Sequence, residues 1–204
     1  MIRRALPLLV AAVALSGCIS LFPKQDPAQL YRFDGADLEP AAANIGAESF
    51  GVFRGRIGFQ SEAAGDRILG VVGNETAYIG ESRWVAPASV LFEAAVARAF
   101  DSNAGPARIV GRGEFSRAQY GLRLDVRRFE AVYDQGREAA PSVVVEVRAV
   151  LSGFRERNLL GERIFTARVR AGDNRVGAIV NAFDQAVGQV LGELVSWTNA
   201  RGAA

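Results

Sequence analysis

The sequence predicts an α+β fold, a mixed or antiparallel sheet with two helices packed on one face, and three observations predict it. Residues 120–134, 142–154 and 161–170 alternate apolar and polar side chains with a period of two, as half-buried strands do. Residues 174–199 instead repeat apolar side chains at steps of three and four. A shorter helical pattern at 87–101 lies between strand patterns, so strands precede and follow one helix and a second helix closes the chain.

The chain opens with Arg3 and Arg4, an apolar run over residues 5–15, and the small residues Ser16 and Gly17. That order is a secretory signal with its cleavage site. A bilayer-spanning helix needs about 20 apolar residues, so residues 1–17 read as a removable signal peptide. The tetrad Leu15-Ser16-Gly17-Cys18 resembles the lipobox of bacterial lipoproteins, and Cys18 is the only cysteine. The resemblance implies that Cys18 is acylated and becomes the mature N-terminus. Each buried CH₂ contributes about 0.8 kcal/mol, and two or three acyl chains on one residue give stable anchoring. Ile19 follows; by resemblance to enterobacterial sorting, an apolar residue there implies the outer membrane.

Residues 18–28, with Pro23 and Pro27, read as an extended tether between the acyl group and a single domain over residues 29–201. The first strand is expected at 29–34, with Tyr31 and Phe33 on one side and Leu30 and Arg32 on the other. An irregular Ala-, Gly- and Pro-rich linker follows over 35–48. Residues 50–60 read as a strand interrupted near Gly55 and Gly58, and residues 67–72 and 75–79 as a hairpin split at Gly73-Asn74. Pro87 suits the first turn of the short helix, and residues 102–106 end it. A strand at 107–110 leads into the meander, where the apolar parity switches at Arg127-Arg128 and predicts a bulge. The closing helix carries the stripe Val176, Ile179, Val180, Phe183, Val187, Val190, Leu191 and Leu194, with Asp173 as its expected N-cap.

Composition narrows the function. Of 24 Lys and Arg, two lie in the signal, so the mature chain balances its 22 acids and offers no nucleic-acid footprint. The roughly 190 residues left after cleavage suit one domain with its own core. There is no histidine, which excludes His-based triads and His metal ligands. Ser82, Ser89 and Ser116 lack a nucleophile elbow, and Gly111-Arg112-Gly113 fits neither dinucleotide nor Walker spacing. The reading is a non-enzyme without cofactor or metal.

The candidate contact residues are Tyr78, Arg83 and Trp84, since a Trp just before a helix, beside an Arg and near a Tyr, can meet a partner or lipid. The competing reading packs the Trp84 ring over the helix start. Tyr31-Arg32-Phe33, Asp66-Arg67-Ile68, Tyr78 and residues 82–87 (Ser-Arg-Trp-Val-Ala-Pro), with Cys18 and the order of elements, resemble the ABC-type transport auxiliary lipoproteins. That resemblance implies an accessory role beside an ABC permease and ATPase and a periplasmic MCE-domain protein, moving phospholipids or other apolar molecules between inner and outer membranes. It implies docking to the MCE protein from the outer membrane, facing the periplasm, with a homo-oligomer allowed. The family pattern has an acidic residue between the Trp and Pro, where this chain has Val85-Ala86. The alternative is a stand-alone lipoprotein that binds lipid or assists outer-membrane assembly, and it requires an apolar cavity between helices and sheet.

Overall fold

A computed structural model of the chain describes residues 28–35, 49–111 and 113–203. The signal, Cys18, most of the tether and most of the 35–48 linker lie outside the described residues.

The sheet is organised around one long strand, β8 (Ala118–Val132), whose two edges are completed differently. One edge pairs antiparallel along its whole length with β9 (Ser142–Gly153), which in turn pairs with β10 (Leu159–Arg170). The other edge is tiled by three short parallel strands: β2 (Phe50–Arg54), β3 (Gly58–Phe59) and β4 (Leu69–Val72). Parallel pairing follows because the intervening chain crosses over each time instead of turning back. β5 (Glu75–Tyr78) closes the hairpin with β4, and β7 (Ala107–Val110) adds to β2 in parallel. Gly73, at φ 59°, makes the hairpin turn that the Gly-Asn pair suggests.

The sheet is thus mixed, and both helices cover one face of it. Helix α1 (Ala88–Asp101) packs on β7 and on α2 (Val176–Gly202), which lies across β9 and β10. The expected stripe of α2 is buried from Ile179 to Leu194, and each such side chain contributes about 1.5–3 kcal/mol by leaving water. Its start differs from expectation: the N-cap is Arg175, not Asp173. Asp173 instead accepts the Arg175 N–H at 2.8 Å and binds its guanidinium, a local turn that delays the helix by two residues.

The bulge is where the parity switch puts it, between Val126 and Arg128, and it returns Phe129 to the covered face. Two short elements escape the alternation pattern. Ser82–Trp84 forms β6, paired in parallel with β1 (Gln29–Tyr31), and Phe115–Arg117 forms a 3₁₀ turn. That turn presses on β2 so closely that a Cβ at Gly51 would stand 2.1 Å from the Arg117 carbonyl oxygen. Only glycine permits the contact.

The core is one cluster in which Phe129 stacks at 4.8 Å on Phe183 and at 5.1 Å on Phe33. Asn199 of α2 fixes the strand edge: its Oδ1 accepts the Ala107 N–H at 2.9 Å and the Asn103 amide at 3.2 Å. The N-terminal segment is held by both helices. Asp184 of α2 accepts the N–H groups of Asp34 and Gly35, and Arg98 of α1 pairs with the Asp34 carboxylate at 2.8 Å.

Candidate functional site

β6 places the three candidate contacts differently. Arg83 faces outward and Trp84 inward because they are successive residues of a strand. Trp84 is 2% exposed and packs edge-on against Phe33 at 5.0 Å and Phe183 at 5.4 Å. As a direct partner contact it is therefore corrected: the ring belongs to the core.

Arg83 reaches the Asp66 carboxylate at 2.8 Å, and that hydrogen bond holds the Asp66 carboxyl below the usual carboxylate range. Beside it, the Arg67 guanidinium lies 3.8 Å over the Tyr78 ring, whose hydroxyl donates to the Glu62 carbonyl. The residue pair Asp66-Arg67 thus joins Arg83 to Tyr78. The same segment also builds the fold. The Trp84 N–H donates to the Asp66 carbonyl, and the N–H groups of Ala88 and Ser89 at the start of α1 donate to the Gly65 and Ala64 carbonyls. The Ser82 hydroxyl donates to the Ile79 carbonyl. Residues 62–67, with Tyr78 and Ser82–Trp84, are a structural knot joining the β4–β5 hairpin, β6 and α1.

The uncovered face of the sheet is charged and largely paired within itself. Arg148 meets Glu162 at 2.6 Å, Arg128 meets the nearly buried Glu130 at 2.6 Å, and Asp134 meets both Arg168 and Arg170. The Arg148 hydrogen bond lowers the Glu162 pKa below its ordinary value and raises that of Arg148.

One end of this face departs from that pattern. Where β8 begins and β9 ends, a recess of about 770 Å³ opens to solvent, with Phe53 and Phe154 stacked edge to face at 5.4 Å and Leu159 beside them. Arg56, Arg123 and Arg157 line it, and no Asp or Glu does. Among the described residues none of the three makes an ion pair; Arg123 acts on Glu162 only at a distance, across β9. Glu156 of the same turn faces a neighbouring recess, with Ser116 and Asn158. Sequence reading misses this place because its parts are far apart in the chain. The one local signal is the run Phe154-Arg155-Glu156-Arg157 with Leu159, an apolar and basic turn between strands.

A second recess, of about 400 Å³, lies at the β4–β5 hairpin beside Tyr78, Ile79 and Tyr133, and burial pushes the Tyr133 hydroxyl pKa up. Among the described residues no three His, Cys, Asp or Glu stand together to hold a metal ion.

The fold has solved counterparts. A crystallised protein of Xanthomonas campestris matches with 24% identity and a TM-score of 0.68, over 86% of this chain and 94% of its own. A second crystal structure, of a protein described as uncharacterized, matches with 13% identity and a TM-score of 0.65, over 85% and 99%. These likenesses concern the fold. No match is found among the curated proteins. The family described as the ABC-type transport auxiliary lipoprotein component matches residues 69–195, from β4 through the meander into most of α2. Spanning well over half of the sequence, that match means the chain belongs to the ABC-type transport auxiliary lipoprotein family.

Proposed function

We propose that the chain is exported, acylated at Cys18 and held in the outer membrane facing the periplasm, where it docks to the MCE-domain component of an ABC transport system. That system moves phospholipids or other apolar molecules between the two membranes, and this chain contributes attachment and docking, not catalysis. The observation that carries the reading is the family match over residues 69–195 in a chain whose export signal ends at its one cysteine. No described helix is long and apolar enough to cross a membrane, so the acyl group supplies the attachment in this reading. A homo-oligomer around one partner is compatible with it.

The packing favours an adaptor over a lipid carrier. A carrier needs room between helices and sheet, and there Val143, Val145, Val147 and Leu151 of β9 pack directly into the cluster with Val187, Val190 and Leu191 of α2. The test is labelling with a radioactive fatty acid, followed by membrane fractionation and affinity recovery. The native chain is expected to take up label, sediment with outer membranes and recover an MCE-domain protein. The Cys18→Ala chain is expected to lose label and sedimentation together. An unlabelled native chain released with the periplasmic fraction contradicts the anchoring, and a labelled chain that recovers no MCE-domain protein contradicts the docking.

A further inference from the structure

We propose that the recess at the β8–β9 end of the uncovered face is the docking surface for an acidic segment of a periplasmic partner protein, one that inserts an apolar side chain between carboxylates. The inference rests on the docking function above and specifies where on this chain it takes place.

Charge is the first argument. Along the rest of the uncovered face guanidiniums find carboxylates at 2.6–3.9 Å, whereas Arg56, Arg123 and Arg157 surround a recess that no acid lines. Three cations that line one recess and make no ion pair among the described residues repel, and an anionic partner removes that repulsion. Guanidiniums also suit carboxylates geometrically, since they bind them with two parallel hydrogen bonds.

Exposure is the second. Leu159 at the rim is 64% exposed, and it adjoins the Phe53–Phe154 pair. Aromatic and Arg side chains around an open apolar depression are the composition of interface hot spots. The floor is the sheet itself, at Gly121 and Val150, and the side chains of Leu122 and Leu151 beneath it are buried in the core. The recess is therefore shallow. Open to solvent along its length, it can seat side chains with flanking carboxylates, but it would leave an acyl chain exposed to water, which a lipid site must largely bury.

Position is the third. β1, where the tether of ten residues after Cys18 joins the fold, packs through Trp84 and Phe33 on the helix-covered face at the level of Phe129. The recess lies on the opposite face near Gly121, about 25 Å away along β8 at the usual rise per residue. It is on the face opposite the one on which β1 packs, clear of the point where the tether joins.

The test measures binding of the purified MCE-domain component to the full-length acylated chain in phosphatidylcholine nanodiscs. The combined Arg56→Glu, Arg123→Glu and Arg157→Glu chain is expected to weaken binding about 100-fold, and Leu159→Asp about 10-fold. Arg175→Glu, a reversal of an exposed arginine at the start of α2, is expected to change it less than about twofold. Raised salt should weaken the native chain and leave the reversed chain unchanged. If reversal impairs folding, judged by the thermal transition, the three Arg→Gln substitutions replace it with a smaller expected loss. Equal binding by native and reversed chains would overturn the inference while leaving the docking function intact. No binding by the native chain would overturn both. Arginine-dependent flotation with phosphatidylglycerol vesicles, or arginine-dependent self-association, with partner binding unaffected, would assign the recess to a lipid headgroup or to a second copy and overturn it as well.

Discussion

The two faces of the β8–β9–β10 meander share every backbone hydrogen bond and differ only in what completes them. Under the helices, Val143, Val145, Val147, Ala149 and Leu151 of β9 are buried to within 1% of complete. On the other side the same strand shows Glu146, Arg148 and Ser152. The covered face is completed by its own chain, and the uncovered face by ion pairs except at the end where three arginines make none among the described residues. Burial on one face is insensitive to salt and acid, whereas exposed pairs are screened by one and neutralised by the other. The comparison assigns stability to the first face and leaves the second for the recognition proposed above.

The largest expected effect lies in the covered core. Phe129→Ala removes the ring shared by Phe33, Trp84 and Phe183 and should cost about 3–5 kcal/mol in urea unfolding. A loss no larger than that of an uncovered-face substitution would break the division. Asn199→Ala comes next, at about 1–3 kcal/mol, because the Ala107 N–H and the Asn103 amide lose their acceptor. On the uncovered face, Arg148→Gln should shift the urea midpoint less than either core substitution despite its short hydrogen bond to Glu162, since water and salt reach both side chains.

Acid gives the smallest effect and sharpens the comparison. Glu162 and Asp66 titrate below their ordinary values because Arg148 and Arg83 hydrogen-bond their ionised forms. A carboxylate whose pKa falls on folding stabilises the fold above its unfolded pKa, and that contribution is lost as pH falls through the folded value. Thermal unfolding should therefore show a modest drop below the usual carboxylate range, and the drop should shrink in Arg148→Gln. An unchanged acid response in that variant would mean that the pair contributes nothing.

The division was partly legible in the sequence. Alternation in residues 142–154 gave one buried and one wet face, and the parity switch at Arg127-Arg128 located the bulge, because both are local consequences of a period of two. β6 was not legible: three residues, Ser82–Trp84, are too few to show a period, and their partner β1 lies some 50 residues earlier. The Asp173 cap misled because an Asp before a helix can equally close a turn on its own backbone, as it does with Arg175. Tyr78, Arg83 and Trp84 stood out by type and proximity, yet their hydrogen bonds and ring contacts run to residues 62–67 and to the core rings Phe33, Phe129 and Phe183. The recess gave little warning because Phe53, Arg123 and Phe154 sit on three strands, and only pairing brings them to one end of a face.

Hydrogen exchange on the full-length acylated chain, with and without the MCE-domain component, tests the division of labour between the faces most directly. The account predicts new protection confined to the β8–β9 end, in residues 53–56, 121–123 and 150–159, with α2 and the β1–β6 pair unchanged. Protection that appears instead at the β1–β6 pair around Arg83, with the recess still exchanging freely, would contradict it.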